Sequence, residues 1–236
     1  MIKNLLIVFC VAASLLGCEI KDKDAAVEKN IYKAIEKNDP KKLREILNNN
    51  PVYATYLHKI GKNSSTPLAM AASLGNYEVM KVMLVEYNAK VDSRNGRHNS
   101  TELMIAAANH CNKCIDLLLA YGANINALSS QNETALMNAC QMGNFEGVKL
   151  LLIRGADLTI KSRISGVTAL DEAAKYGHYD IVKLLLQYGA TTDFKIMAKY
   201  LKVKLNGMPD ATTKVKNNYQ KIIEVFEGKV KRGLKG

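Results

Sequence analysis

The stretch TALMNACQMGNFEGVKLLLIRGADLT, Thr134 to Thr159, carries the pattern that decides the fold. A threonine opens it, small and apolar residues follow, and Gly143 interrupts. A second run with apolar residues three and four apart (Val148, Leu151, Leu152) then ends at Gly155. A threonine ahead of an apolar run can cap a helix by accepting from an orphan backbone N–H. A glycine at the far end supplies the left-handed residue that closes it. The segment therefore predicts two short amphipathic helices, back to back.

Three more segments align with it. They are TPLAMAASLGNYEVMKVMLVEYNAKVD from Thr66, TELMIAAANHCNKCIDLLLAYGANIN from Thr101 and TALDEAAKYGHYDIVKLLLQYGATTD from Thr168, so the four threonines stand 35, 33 and 34 residues apart. Leu68, Leu103, Leu136 and Leu170 recur two positions after the threonine. The pairs Ala71-Ala72, Ala106-Ala107, Ala139-Cys140 and Ala173-Ala174 recur where helices must approach closely. One helical pair cannot bury its apolar face alone, so stacking of neighbours must make the core.

This period and wording resemble the ankyrin repeat, whose pattern runs Thr-Pro-Leu, Ala-Ala, Gly, a Leu-Leu helix and Gly-Ala-Asp. The resemblance covers roughly residues 61 to 194 and implies an all-α solenoid of four repeats, 61–94, 95–128, 129–161 and 162–194. Helical caps are expected at 28–60 and 195–236. Three departures bear on local geometry. The first repeat has Asn88 for glycine and one extra residue before it; the second has His110 where a glycine should end the first helix. The histidine usual after Thr-Pro-Leu is replaced by Ala69, Met104, Met137 and Asp171. In the amino-terminal cap Ile31, Ala34, Ile35, Leu43, Ile46 and Leu47 are expected inward. In a helix from about Thr213 to Gly228, Val215, Tyr219, Ile222, Ile223, Phe226 and Val230 share one stripe.

The start of the chain reads differently. Lys3 precedes a 12-residue apolar run, Leu5 to Leu16, too short for a membrane span of about 20 residues but of the form of an export signal. Leu15-Leu16-Gly17-Cys18 resembles the lipobox of bacterial lipoproteins; a plain signal that happens to contain a cysteine is the other reading. The resemblance implies that 1–17 is removed, that Cys18 is acylated and that 18–27 tethers the body to a membrane on the periplasmic side. Glu19 leans the expectation toward the outer membrane.

The net charge of +11 is uneven: residues 195–236 carry 11 basic against 3 acidic side chains, whereas 19–194 carry 21 against 19. Basicity confined to the tail is not the pattern of a nucleic-acid groove. The tail reads as a docked cap with lysines in solvent, or as a surface for anionic headgroups. The four histidines fall in no nucleophile or metal signature, and no glycine-rich phosphate loop precedes a helix, so neither catalysis nor a cofactor is expected. In HCNKC, His110 to Cys114, the histidine precedes the cysteines, unlike a haem attachment site. No second ligand pair is spaced for zinc. Cys114 aligns with core positions Val79 and Ile181, and an exported chain leaves a local Cys111–Cys114 disulfide open.

The resemblance also implies where a partner protein binds. The exposed side of the first helices offers Met70, Leu74, Ile105, Asn109, Asn138, Met142, Glu172 and Tyr176, and the turn tips offer Lys62, Arg97, His98, Gln131 and Arg163. Some of the apolar members have a competing reading as packing against neighbouring helices. The expected activity is capture of another protein by a monomer, without nucleic acid. Lipoproteins with such a body resemble immunity proteins that neutralise phospholipase-type toxins. An envelope scaffold supporting an oxidative-stress enzyme, and a host-interaction protein, are the alternatives.

Overall fold

The computed structural model describes residues 23–50, 53 and 65–233, and among these are twelve α-helices and no β-strand. Cys18 and Lys62 lie outside the described residues. Helices α1 (Lys23–Glu36) and α2 (Pro40–Asn49) form the first pair. Then come α3 (Pro67–Leu74) with α4 (Tyr77–Lys81), α5 (Glu102–Ala108) with α6 (Asn112–Ala120), α7 (Ala135–Met142) with α8 (Phe145–Ile153), and α9 (Ala169–Lys175) with α10 (Tyr179–Gln187). The last pair is α11 (Phe194–Asn206) and α12 (Thr213–Lys231). No described helix is long and apolar enough to cross a membrane.

First helices stack on first helices, α1 through α3, α5, α7 and α9 to α11, and second helices likewise from α2 to α12. The chain is thus an all-α solenoid. The small pairs make this spacing possible: Ala71, Ala72, Ala106, Ala107, Ala139, Cys140, Ala173 and Ala174 are wholly buried. Leu103, Leu136 and Leu170 are buried beside them, where truncation of a leucine to alanine typically costs about 2–5 kcal/mol. The inward residues of the amino-terminal pair are all buried. That pair starts earlier than the sequence suggested, because α1 begins at Lys23, inside the stretch read as tether; Asp24, Ala25 and Ala26 extend it.

Each threonine caps its helix: Thr66, Thr101, Thr134 and Thr168 accept from the N–H of Ala69, Met104, Met137 and Asp171. Where the family's histidine is absent, the fourth repeat uses Asp171. Its carboxylate takes the N–H and hydroxyl of Thr168 and the hydroxyl of Thr192. His110 adopts φ of 59° and so occupies the left-handed conformation that Gly75 and Gly143 adopt elsewhere. The extra residue of the first repeat is absorbed in a π-helical turn, Val82–Glu86, that continues α4 and ends before Asn88 (φ 56°). An insertion inside a helix commonly survives in this form because the ladder shifts to wider bonds for one turn only.

Second helices reach back to the pair before them. Asn76 Nδ2 donates to the carbonyl of Ile35, Asn144 Nδ2 to Ala107 and His178 Nε2 to Gln141. Cys111 holds the equivalent place in the second repeat and has no such bond. It is joined by a disulfide to Cys114 across a Cα separation of 5.2 Å. The junction between the first and second repeats is held by Glu102, which is fully buried. Its carboxylate accepts from the Thr66 hydroxyl at 3.0 Å, from Asn95 Nδ2 at 3.1 Å and from the Ser93 N–H at 3.1 Å.

The carboxy-terminal tail caps the stack. Tyr219, Ile222, Ile223 and Phe226 are buried, and Phe226 meets Phe194 with ring centroids 5.4 Å apart. Val215 and Val230, read as members of the same stripe, are instead exposed: the buried residues of the 19-residue α12 run only from Tyr219 to Phe226.

Candidate protein-binding surface

Between helical pairs the chain projects as turns that we call fingers, and these pair with one another. In the second finger Asn95 and Ser100 exchange backbone bonds at 2.9 Å; in the third Ser129 donates to Glu133, and in the fourth Ser162 donates to Val167. The N–H of Ser130 donates to the His98 carbonyl at 2.8 Å and that of Arg163 to the Gln131 carbonyl at 2.7 Å. The Gln131 amide lies 3.1 Å from His98 Nδ1. The structure thus brings His98, Gln131 and Arg163 together as one edge, with Arg97 exposed beside them.

Along the first helices the expected row divides. Leu74 is 49% exposed, Met142 52% and Tyr176 41%. Met70 and Ile105 are half-buried and packed against the core, so they do not extend the exposed apolar row. Each sits between buried residues of its helix, Met70 between Ala69 and Ala71 and Ile105 between Met104 and Ala106. Asn109 is exposed, and its amide donates to the Ile105 carbonyl at 2.8 Å; Asn138 is half-buried.

Tyr176 is the best-supported member. Gln141 Nε2 donates to its hydroxyl at 2.9 Å. The ammonium groups of Lys175 and Lys204 stand 5.4 and 5.5 Å from its ring centroid, within the range where a cation is drawn to a ring face. Lys204 also lies 5.5 Å from the ring of Tyr219, whose hydroxyl donates to the Lys175 carbonyl at 2.8 Å. Nothing in the sequence ties Lys204 or Tyr219 to Tyr176; they arrive through the fold of the tail over α9.

Glu172 lies beside this cluster. Its carboxylate pairs with Lys175 at 3.7 Å, and its other oxygen is buried without a partner. Burial pushes its carboxyl above the ordinary range, Lys175 opposes this, and Glu133 and Asp171 add to it. Burial likewise raises the Cys140 thiol, with Glu172 contributing, so Cys140 is a small core residue. Among the described residues no three of His, Cys, Asp and Glu gather as a metal site. What the surface offers is an apolar row, a positively flanked aromatic ring and a polar finger edge, which are elements of protein recognition.

A family model described as ankyrin repeats in three copies matches residues 31–129 and again 103–196. Among curated proteins the chain is 35% identical over 106 residues to a rice protein named as a probable E3 ubiquitin-protein ligase, covering 44% of this chain and 21% of that protein. It is 28% identical over 132 residues to the mouse B-cell lymphoma 3 protein homolog (56% and 29%). It is 37% identical over 94 residues to the rat ankyrin repeat and SAM domain-containing protein 6 (39% and 10%). The chain therefore spans less than a third of the length of each of these relatives, and the ligase activity in the first name is that protein's. Helical pairs, capping threonines and paired fingers agree with the matched repeats, and the chain belongs to the ankyrin-repeat family.

Proposed function

We propose that this protein is a non-enzymatic capture module of the bacterial envelope, anchored through an acylated Cys18, that binds another protein on the exposed side of its first helices, the concave face of an ankyrin stack. The observation that carries this reading is the exposed row Leu74, Met142 and Tyr176, with Lys175 and Lys204 at the Tyr176 ring. A tyrosine ring held in place on a rigid stack loses little entropy on binding, which is why such residues become anchors, and methionine adapts its shape to the partner. The Cys111–Cys114 disulfide supports an oxidising compartment.

Within that reading the specific role we favour is immunity, the neutralisation of a secreted phospholipase-type toxin. A tethered inhibitor meets a membrane-attacking enzyme at an effective concentration far above its average in the compartment. Crosslinking in living cells, comparing the wild-type chain with Met142→Glu/Tyr176→Glu, tests the binding face: capture of the partner should be lost with the fold intact. Unchanged capture would remove the concave face from the proposal. Cys18→Ala should abolish fatty-acid labelling and release the chain from membranes. Protection against a co-expressed phospholipase-type toxin separates immunity from support of an envelope enzyme.

A further inference from the structure

The hydrogen bonds that join the fingers form a series, and the series stops at an open edge. In the third finger Ser130 donates to the finger before it and the next residue, Gln131, accepts from the finger after it. In the fourth finger Arg163 uses the donor, which puts Ile164 in the accepting position. Among the described residues nothing donates to the Ile164 carbonyl, and the Ile164 side chain is 76% exposed. Beyond Thr192 the chain passes through Asp193 directly into α11. The stack continues with α11 and α12, but no further finger is made.

A groove of about 830 Å³ occupies the place such a finger would fill, with Leu158, Val167, Phe194, Ile196 and Val230 among its lining residues. Ile196 and Val230 are exposed there. Lys161 and Lys195 also line it, Arg163 stands at the adjoining tip, and among the described residues none of these three cations has an ion pair. The two carboxylates of the lining are used within the chain. Asp171 accepts from Thr168 and Thr192, and Asp193 accepts from the Ile196 N–H at 2.9 Å. The groove and the tip beside it thus offer the Ile164 carbonyl, an apolar floor and three cations without ion pairs against the two carboxylates of the lining.

We propose that this groove binds an extended acidic segment of a partner protein, laid in as a fifth finger. Its backbone N–H meets the Ile164 carbonyl, an apolar side chain covers Phe194 and Val230, and its carboxylates face Lys161, Arg163 and Lys195. Pairing with an open backbone edge gives such a segment its register, and the side chains beside it give selectivity. The surface is separate from the Met142 and Tyr176 row, so it stands or falls independently of the concave-face reading.

The test is a random array of peptides about ten residues long, probed with the full chain, followed by solution titration of the binders. Selected peptides should be enriched in Asp and Glu around an apolar residue. Their affinity should fall about tenfold for Lys161→Gln/Lys195→Gln and for Ile164→Asp, as expected when complementary charge is removed or a like charge is set beside an acidic segment. It should be unchanged for Met142→Glu/Tyr176→Glu. All the altered rim side chains are exposed, so circular dichroism should match wild type. An array without binders, binders lacking acidic enrichment, or affinities insensitive to the rim variants would overturn the proposal. So would binding of an oligonucleotide or of anionic vesicles at this rim in preference to every peptide.

Discussion

Replacing Glu102 by alanine should open the junction between the first two repeats, with a pH dependence that identifies the cause. The carboxylate is fully buried and holds three donors. Asn95 Nδ2 also donates to the carbonyls of Ser93 and Ser100, so it keeps partners in the variant. The Thr66 hydroxyl and the Ser93 N–H do not. Each buried donor left without an acceptor costs about 1–3 kcal/mol, which sets the expected loss at about 3 kcal/mol. Burial raises the carboxyl above its ordinary value of 4.5, against the opposing effect of its hydrogen bonds. Between the unfolded pKa and the raised folded one, the native chain holds a proton that the unfolded chain has released, so wild-type stability falls as pH rises through that window. The variant lacks this loss. Its deficit should therefore be largest at about pH 4, below that window, and smaller at a pH above it, where wild type carries a desolvated charge. Urea titration followed by helical circular dichroism at both pH values measures it. In a linear array the weakened joint should also split the transition into two steps. A deficit below about 0.5 kcal/mol, the scale of an ordinary surface change, or one that grows with pH, would refute the assignment of Glu102 as the joint.

Three further outcomes follow from local geometry. Gly143→Ala combines φ of 73° with a Cβ that would stand 2.6 Å from the His178 ring, whereas Gly155 (φ 84°) has open space around it. Gly155→Ala should cost about 1 kcal/mol of backbone strain and Gly143→Ala clearly more, by thermal unfolding of the pair. Reducing the Cys111–Cys114 bridge closes no long loop, so dithiothreitol should lower stability by about 2 kcal/mol or less on the chain-entropy account; loss of folding would show that the bridge holds more than its own turn. Deleting Val85, an exposed residue of the π-helical turn, should return α4 to regular α-helical bonding with the fold retained. A collapse of helical signal on deletion would mean that the insertion serves the packing of the first repeat.

Much of the fold was legible because its determinants are local. A threonine, two small residues and a left-handed turn repeat within each segment, and helix capping acts over three or four residues. The extra residue of the first repeat was visible in the spacing, but its fate as a π-helical turn depends on Met83 and Leu84 staying buried while Val85 faces solvent. Glu102 left one trace, a charged residue where the other repeats have Pro67, Ala135 and Ala169. Its meaning lies in Thr66, 36 residues earlier, and pattern alone does not supply that partner. The binding row was legible in part. Met70 and Ile105 share one helical position with Asn138 and Glu172, and all four are half-buried, whereas the position four residues later, Leu74, Asn109, Met142 and Tyr176, is exposed. Lys204 and Tyr219 reach Tyr176 only through tertiary structure.

The side-chain latches that tie each second helical segment to the pair before it point one way along the chain. Asn76, Asn144 and His178 each donate to a carbonyl made earlier in synthesis, on Ile35, Ala107 and Gln141, and Tyr219 does the same toward Lys175. A polypeptide emerging from its amino terminus therefore presents each of these four acceptors before the donor that will use it. An array halted between repeats strands none of these four donors, only a helix-end carbonyl that water can serve, whereas trimming from the other end strands the donor itself. For these four bonds vectorial growth and polarity are matched, whereas the Thr66–Glu102 joint, whose donor is made first, closes only when the second repeat has followed.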